Sequence, residues 1–128
     1  MNDLILPQKI NCGYCDCSEF GSLSISPERT SKCYEIEYYL EDGRATYLNG
    51  EKIEIIADRV IIARPDDKRY SFLPFKTAFL KFEAEGRLAE ILNRQPHYFE
   101  ALHKKQIREL MHEIILLNES ENKDILLL

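Results

Sequence analysis

The sequence predicts a mainly β fold, a small antiparallel β-barrel followed by C-terminal helices. Through the first two thirds of the chain, short runs rich in Tyr, Ile, Val and Thr are separated by turn residues, a pattern typical of strands. After Glu83 the apolar residues recur at helical spacing instead. With 128 residues, of which 45% are hydrophobic, the chain is long enough to form one domain around its own core.

Two turn dipeptides organise the middle of the expected sheet. Asp42 and Gly43 separate the run 33–40 from 44–48, and Asn49 and Gly50 separate that run from 51–56. Both dipeptides favour the positive φ angles that two-residue hairpin turns require. The sequence therefore predicts a β-meander through these three strands.

Further strands are expected on both sides of the meander. The sequence favours a short strand at 23–25 and others at 59–64, 70–73 and 75–82, whereas residues 10–20 show no clear pattern. Neither face of 75–82 is purely polar, as expected for a wall with other elements packed outside it. Six to eight short strands in about 80 residues indicate a sandwich or a barrel.

Two helices are expected after the strands, at 86–93 and at 100–117. The apolar arc of the second helix is wider than a single packing surface requires. We therefore expect one side to pack on the barrel and the other to pair with a second subunit, forming a homodimer. The alternative is that the whole helix packs on its own barrel. The expected dimer interface consists of Ile107, Leu110, Met111, Ile114 and Leu117.

The end of the sequence predicts that the natural chain continues. A polar segment at 118–124 has the composition of a linker, and four large apolar residues follow it at 125–128. Such an apolar terminus needs a surface to pack on. The alternative is a tail that packs on its own domain.

Charge and hydropathy exclude two classes of partner. A net charge of −5 argues against a nucleic-acid surface, which needs a basic stripe. The apolar runs are far shorter than the roughly 18 residues of a membrane span. Residues 1–10 lack the features of a secretory signal, so we expect a cytoplasmic protein with no membrane partner.

The four cysteines are expected to be free thiols, because disulfides are rare in the cytoplasm. They are Cys12, Cys15, Cys17 and Cys33. A four-thiolate zinc site is the alternative, but the single residue between Cys15 and Cys17 is unlike the spacing of paired zinc ligands. The sequence also contains no evident Ser/His/Asp or Cys/His arrangement, so we do not expect an enzyme.

Two segments carry a resemblance to a known family. Residues 34–43 and 57–65 resemble the two signature blocks of cupin domains and, more narrowly, the N-terminal sensing domain of AraC-type transcription regulators. Residues 69–77 and 80–82 are similar to the segment that comes after the second block in such regulators, and 110–115 is similar to their dimerisation helix. The resemblance covers about residues 29–120.

This resemblance implies a domain organisation. Residues 1–83 would form a cupin-like jelly-roll β-barrel that senses a ligand, and 84–120 a helical dimerisation segment of the same domain. Residues 121–128 would begin a linker to a helix-turn-helix DNA-binding domain outside this chain, and DNA would be contacted only through that domain.

The same resemblance implies that no metal cofactor is present. Placing the glutamate of the metal-binding cupin pattern on Glu35 puts Arg29 and Ser31 where two histidines would stand, and the second-block histidine falls on Tyr70. Arginine has no lone pair for a metal. With one ligand of four kept, metal-dependent cupin chemistry is not expected.

The resemblance also implies a polar pocket inside the barrel. Arg29, Glu35 and Tyr70 would point inward, and the two-residue period of a strand adds Cys33, Glu37 and Tyr39. An arginine, carboxylates and phenols suit a sugar or a carboxylate. The alternatives are that Glu35 and Glu37 line a solvated face, or that Arg29 and Glu35 form a purely structural ion pair. The expected ligand-binding residues are Arg29, Glu35, Glu37, Tyr39 and Tyr70.

The function expected from these observations is that of an effector-binding and dimerisation domain of an AraC-type regulator. It would bind a small polar molecule and control the helix-turn-helix domain. The alternatives are a free-standing, metal-independent cupin enzyme such as a sugar isomerase, and a scaffold whose barrel is filled with side chains.

Overall fold

The fold consists of two antiparallel sheets and two helices. The computed structural model describes residues 6–17 and 24–127, with the backbone alone for 120–127. The five-stranded sheet has the order β1 (Gln8–Asp16), β8 (Lys76–Glu83), β3 (Tyr34–Tyr39), β6 (Arg59–Ala63), β9 (Tyr98–Glu100). The four-stranded sheet has the order β2 (Arg29–Thr30), β7 (Lys68–Ser71), β4 (Ala45–Leu48), β5 (Glu51–Glu54). The helices are α1 (Gly86–Arg94) and α2 (Lys104–Leu127).

The mainly β class is confirmed, with two helices that follow β8 and with β9 between them. Within the described ranges neither sheet closes on itself, so the structure shows two open sheets that face each other. Their inner faces meet in an apolar cluster, which includes Tyr39 and Ile61 from the larger sheet and Leu48 and Ile53 from the smaller one. No helix in the described part of the chain is long and apolar enough to cross a membrane.

The hairpin expected at Asn49 and Gly50 is confirmed. Leu48 of β4 pairs with Glu51 of β5, which leaves a loop of two residues. Both loop residues have positive φ, 51° at Asn49 and 83° at Gly50. This is the backbone that matches the twist of a two-stranded hairpin.

The hairpin expected at Asp42 and Gly43 is wrong, and with it the continuous meander. Strands β3 and β4 lie in different sheets, so these two residues carry the chain across from one sheet to the other. The N–H of Gly43 donates to the carbonyl of Ile55 at 2.9 Å. A Cβ on Gly43 would lie 3.0 Å from Cγ2 of Ile55, so this glycine permits a close approach between the crossing segment and the end of β5.

Several boundaries differ from the sequence predictions. Strand β1 forms where no clear pattern was visible; its register shifts between Gln8 and Asn11, which interrupts the two-residue alternation. Tyr98–Glu100 pairs with β6 and forms strand β9. The second helix therefore begins at Lys104 and not at residue 100 as expected. The second helix runs to Leu127, so the polar segment 118–124 is helical rather than extended.

Part of two predictions lies outside the described residues. Ile25 forms a single bridge with Phe72, but residue 23 of the expected strand 23–25 is not described. The packing of the apolar residues 125–128 also lies outside the described side chains.

Helix α2 packs on the outer face of the five-stranded sheet. Met111 and Ile115 are buried there against Tyr38, Val60 and other residues of the sheet. Ile107 and Ile114 are partly buried beside them, whereas Leu110 and Leu117 are exposed. Met111 therefore belongs to the core of its own subunit, and the other four residues of the expected interface remain at or near the surface.

Replacing Ile115 with alanine tests this packing. Ile115 is 1% exposed, so Ile115→Ala should lower the free energy of unfolding by about 2–5 kcal/mol through lost burial and a new cavity. Leu102 is 90% exposed, and Leu102→Ala is the control, expected to change it by about 0.5 kcal/mol or less. Urea denaturation measures both values. Equal losses of unfolding free energy in the two variants would contradict the burial of Ile115 between α2 and the sheet.

Candidate ligand-binding site

A cavity of about 450 Å³ lies between the inner faces of the two sheets. Strands β3 and β8 of the larger sheet line one side, and β2 and β7 of the smaller sheet line the other. The residues that line it are Cys15, Cys17, Ser26, Pro27, Arg29, Glu35, Glu37, Arg69, Tyr70, Ser71, Leu73, Phe75, Thr77, Phe79 and Lys81.

Strand alternation brings the carboxylates of β3 into this cavity. Glu35 and Glu37 share one face of the strand, while Ile36 and Tyr38 share the other and pack beneath α2. Glu35 is 2% exposed and Glu37 is 8% exposed. The alternative in which these two glutamates line a solvated face is therefore wrong.

Arg29 binds Glu35 through a two-pronged ion pair. Its two terminal nitrogens donate to the two carboxylate oxygens at 2.8 and 2.7 Å, the fork geometry that makes such pairs strong. The Nζ of Lys81 lies 3.9 Å from the same carboxylate. The Arg29 side chain is 46% exposed, so it forms the boundary between the buried glutamate and solvent.

A second ion pair lies deeper in the cavity. Nη1 of Arg69 donates to Glu37 and also lies 3.9 Å from Glu35. Arg69 and Arg29 are direct neighbours across the β2–β7 pairing. Like charges in that position repel, and the two glutamates of the opposite sheet compensate for the repulsion.

These contacts change the pKa of two groups. Burial disfavours the charge of Glu35, but the hydrogen bonds from Arg29 and the charges of Arg29 and Lys81 prevail and lower its pKa to about 2. Burial lowers the pKa of Arg69 to about 10, with Arg29 acting in the same direction and Glu35 opposing it. Both groups are charged at neutral pH.

Two polar atoms of the cavity wall have no hydrogen-bond partner among the described residues. They are Nε of Arg69 and the hydroxyl of Thr77. Buried polar groups are nearly always paired, and an unmade hydrogen bond costs about 1–3 kcal/mol. Both atoms have almost no accessible surface, so they are buried behind the cavity wall rather than open to the cavity.

Of the five predicted ligand-binding residues, the structure brings Arg29, Glu35 and Glu37 together. Tyr39 lies beside them in the apolar cluster between the sheets, where burial raises its pKa to about 12. Tyr70 contributes to the cavity lining, but its ring stacks on Tyr47, with centroids 4.5 Å apart.

Arg69, Thr77 and Lys81 are site residues that were not predicted from the sequence. Arg69 directly precedes Tyr70. Aligning the cupin histidine on Tyr70 therefore missed by one residue the side chain that is buried in the cavity wall. Ser71 and Arg69 are both buried while Tyr70 is half-buried. The residue types gave no signal for this, because an arginine and a serine on either side of a tyrosine favour the tyrosine as the inward residue.

The cysteines differ from expectation at one pair. The structure joins Cys15 and Cys17 in a disulfide at the cavity wall, so the prediction of free thiols is wrong there. Their Cα atoms are 5.9 Å apart, within the span of a disulfide; Cys15 lies in β1 and Cys17 just after its end. Cys12 and Cys33 are free. Cys12 faces α2 instead, where its thiol donates to the carbonyl of Ile114 at 3.9 Å.

The ion pair of Glu35 predicts how stability depends on pH. Because the folded pKa of about 2 lies below the unfolded value of about 4.5, the carboxylate stabilises the fold above pH 4.5, and this contribution is lost as pH falls to 2. The loss should be about 3 kcal/mol. Urea unfolding at several pH values measures this, and the free energy of unfolding of Glu35→Gln should fall less between pH 4.5 and 2 than that of the natural sequence. The control Glu113→Gln changes an exposed glutamate and should retain the full loss; a wild-type-like slope in Glu35→Gln would refute this role.

Comparison with known proteins supplies no family for this chain. No family model matches the sequence, and no curated protein matches it.

Proposed function

We propose that this chain is the effector-binding and dimerisation domain of an AraC-type transcription regulator. The observation that carries the proposal is the cavity between the sheets, whose wall combines the two-pronged pair of Arg29 and Glu35 with a second pair of Arg69 and Glu37. A small polar molecule would bind there, and the DNA-binding helix-turn-helix domain would lie outside this chain.

The order of the strands supports a cupin-like jelly roll. Strand β1 pairs with β8, β2 with β7, β3 with β6 and β4 with β5. This nested set is the result when one long hairpin winds back on itself into two facing sheets, which is the jelly-roll arrangement. The helices after the strands agree with the organisation that the family resemblance implies.

Strand β1 gives the cavity a physical connection to the helix. One of its faces carries Cys15 at the cavity wall. The other face contacts α2, where the hydroxyl of Tyr14 hydrogen-bonds with Nδ1 of His112 at 2.5 Å. A ligand that binds one position of β1 more tightly than another would shift α2 towards the matching position. The size of this shift would follow from the difference in affinity, and in this way binding would control the DNA-binding domains.

An apolar strip along α2 supports the proposed homodimer. Leu110 and Leu117 are seven residues apart, so they lie on one side of the helix, and both are exposed. Ile107 and Ile114 continue the strip towards the core. Two copies related by a two-fold axis would bury these leucines against each other.

The alternative function is that of a metal-independent cupin enzyme such as a sugar isomerase. The two carboxylates of the cavity would then have to supply its acid–base catalysis. Acid–base catalysis needs a group whose pKa lies near the working pH. The pKa of Glu35 is about 2 and its oxygens are held by Arg29, so it is a weak base. Ligand binding without turnover is therefore the favoured function.

Ligand binding is tested by a thermal-shift screen with sugars and small carboxylates. A compound at about 100 times its dissociation constant should stabilise the protein by about 2.7 kcal/mol, or about 10 °C in Tm. Arg29→Ala should abolish the shift by removing the arginine fork at the entrance. Arg44→Ala, which removes a guanidinium lying over Phe72, is the control and should retain it. A shift preserved in Arg29→Ala would place the ligand elsewhere, and steady product formation would favour the enzyme.

Dimerisation is tested by charging the apolar strip of α2. Leu110→Glu combined with Leu117→Glu should give a folded monomer in sedimentation velocity, because buried like charges would oppose pairing. Leu116→Glu, which changes an exposed leucine on a different side of the helix, should leave the dimer intact. A double variant that sediments as a dimer would exclude this strip as the interface.

A further inference from the structure

The disulfide between Cys15 and Cys17 is not needed to hold the fold together. A disulfide stabilises a protein mainly by closing a loop of the unfolded chain, and this effect is smallest when the loop is short. Here the loop encloses a single residue, since the two cysteines are two positions apart. Cys15 lies in β1 and Cys17 directly after it, so the bond joins no two separate elements.

Backbone hydrogen bonds hold this part of the chain in place without the disulfide. Cys15 lies opposite Thr77 in the pairing of β1 with β8. Just beyond the strand, the N–H of Cys17 donates to the carbonyl of Phe75 at 2.9 Å. These contacts involve no sulfur atom, so they remain when the two sulfurs are separate thiols. The pair can therefore change its oxidation state while the sheet stays folded.

The two sulfurs differ in their access to other molecules. Both cysteines line the cavity of about 450 Å³ between the sheets. Cys15 is half-buried, whereas Cys17 is only 7% exposed. Thiol–disulfide exchange begins when a thiolate attacks one sulfur, and access decides which sulfur is attacked. The sulfur of Cys15 is therefore the one that a small thiol reaches first.

The other two cysteines are placed outside this exchange. Cys12 is three residues before Cys15, so its side chain lies on the opposite face of β1, where it is buried against α2. Burial raises the pKa of its thiol, which keeps the thiol protonated and weakly reactive. Cys33 lines a different cavity, beside Glu83 at the end of β8. Exchange at the cavity wall is therefore confined to Cys15 and Cys17.

We infer that Cys15 and Cys17 form a reversible thiol–disulfide site at the cavity wall, which exchanges with a small thiol of the glutathione class. The thiolate of one small thiol attacks the sulfur of Cys15, the S–S bond breaks, and Cys17 leaves as a thiolate that takes up a proton. A second small thiol attacks the mixed disulfide and releases Cys15, which is protonated in turn. In total the protein disulfide gains two electrons and two protons, and two small thiols are oxidised to one disulfide. This site goes beyond the proposed ligand binding and does not depend on it.

A redox titration of the whole chain tests this inference. The protein is oxidised with glutathione disulfide and then equilibrated in mixtures of reduced and oxidised glutathione at neutral pH. N-ethylmaleimide blocks the free thiols, mass spectrometry locates them, and circular dichroism reports the fold. Cys15 and Cys17 should become free together at millimolar thiol while the protein stays folded. Reduction should lower Tm by about 10 °C or less, because the closed loop is short.

Single substitutions separate the roles of the two sulfurs. Cys17→Ser leaves the accessible Cys15, which should form a mixed disulfide with glutathione disulfide. Cys15→Ser leaves the buried Cys17, which should react about tenfold or more slowly. Cys33→Ser is the control, and it should leave the titration of the Cys15 and Cys17 pair unchanged.

A pair that opens only when the protein unfolds, or that does not re-form when glutathione disulfide is restored, would overturn the inference. Equal reactivity of the two single variants would overturn the assignment of Cys15 as the attacked sulfur. The titration itself uses the natural sequence, so its result holds even where a substituted chain does not fold.

Discussion

The ion pair between Arg29 and Glu35 is the constraint on which the rest of this domain depends. It joins β2 of one sheet to β3 of the other, and the pair of Arg69 with Glu37 makes a second connection between the same two sheets. A carboxylate that is 2% exposed is tolerated in such a place only with its charge compensated. The sheets are thus held together by apolar packing around Ile53 and Ile61 and by charge around the cavity, so the interior remains polar and unfilled at one end.

Strand β1 and helix α2 extend this arrangement to the outer face. Cys12 and Tyr14 face the helix while Cys15 faces the cavity, so a single edge strand contacts both. The helix is also held where it begins, because Arg108 donates to Asp58 and to the carbonyl of Leu40, both at 2.8 Å. These contacts make the helix part of the domain rather than an appendage, and they leave Leu110 and Leu117 free to meet another surface.

Much of the fold could be predicted because its signals are local. The turn at Asn49 and Gly50 follows from the φ angles those residues tolerate. Helical spacing predicted that one side of the second helix packs on the sheet, but Met111 was assigned to the dimer interface although it is buried in its own core. The crossing at Asp42 and Gly43 could not be predicted, since a turn dipeptide reports a backbone preference and not which strands pair. The family resemblance selected Glu35 and strand alternation added Glu37, whereas Arg69 was missed because a one-residue error in alignment moves a side chain to the other face.

Strand β2 is short, and this affects how a ligand reaches the cavity between the sheets. This strand pairs with its neighbour through only two residue pairs, Arg29 with Arg69 and Thr30 with Lys68. Arg29, whose side chain covers Glu35, therefore lies on the strand with the fewest residue pairs in its sheet. Opening β2 would break these two pairings and also the ion pair of Arg29 with Glu35, so the strength of that ion pair, more than the strand pairing, sets how readily the cavity opens at this edge.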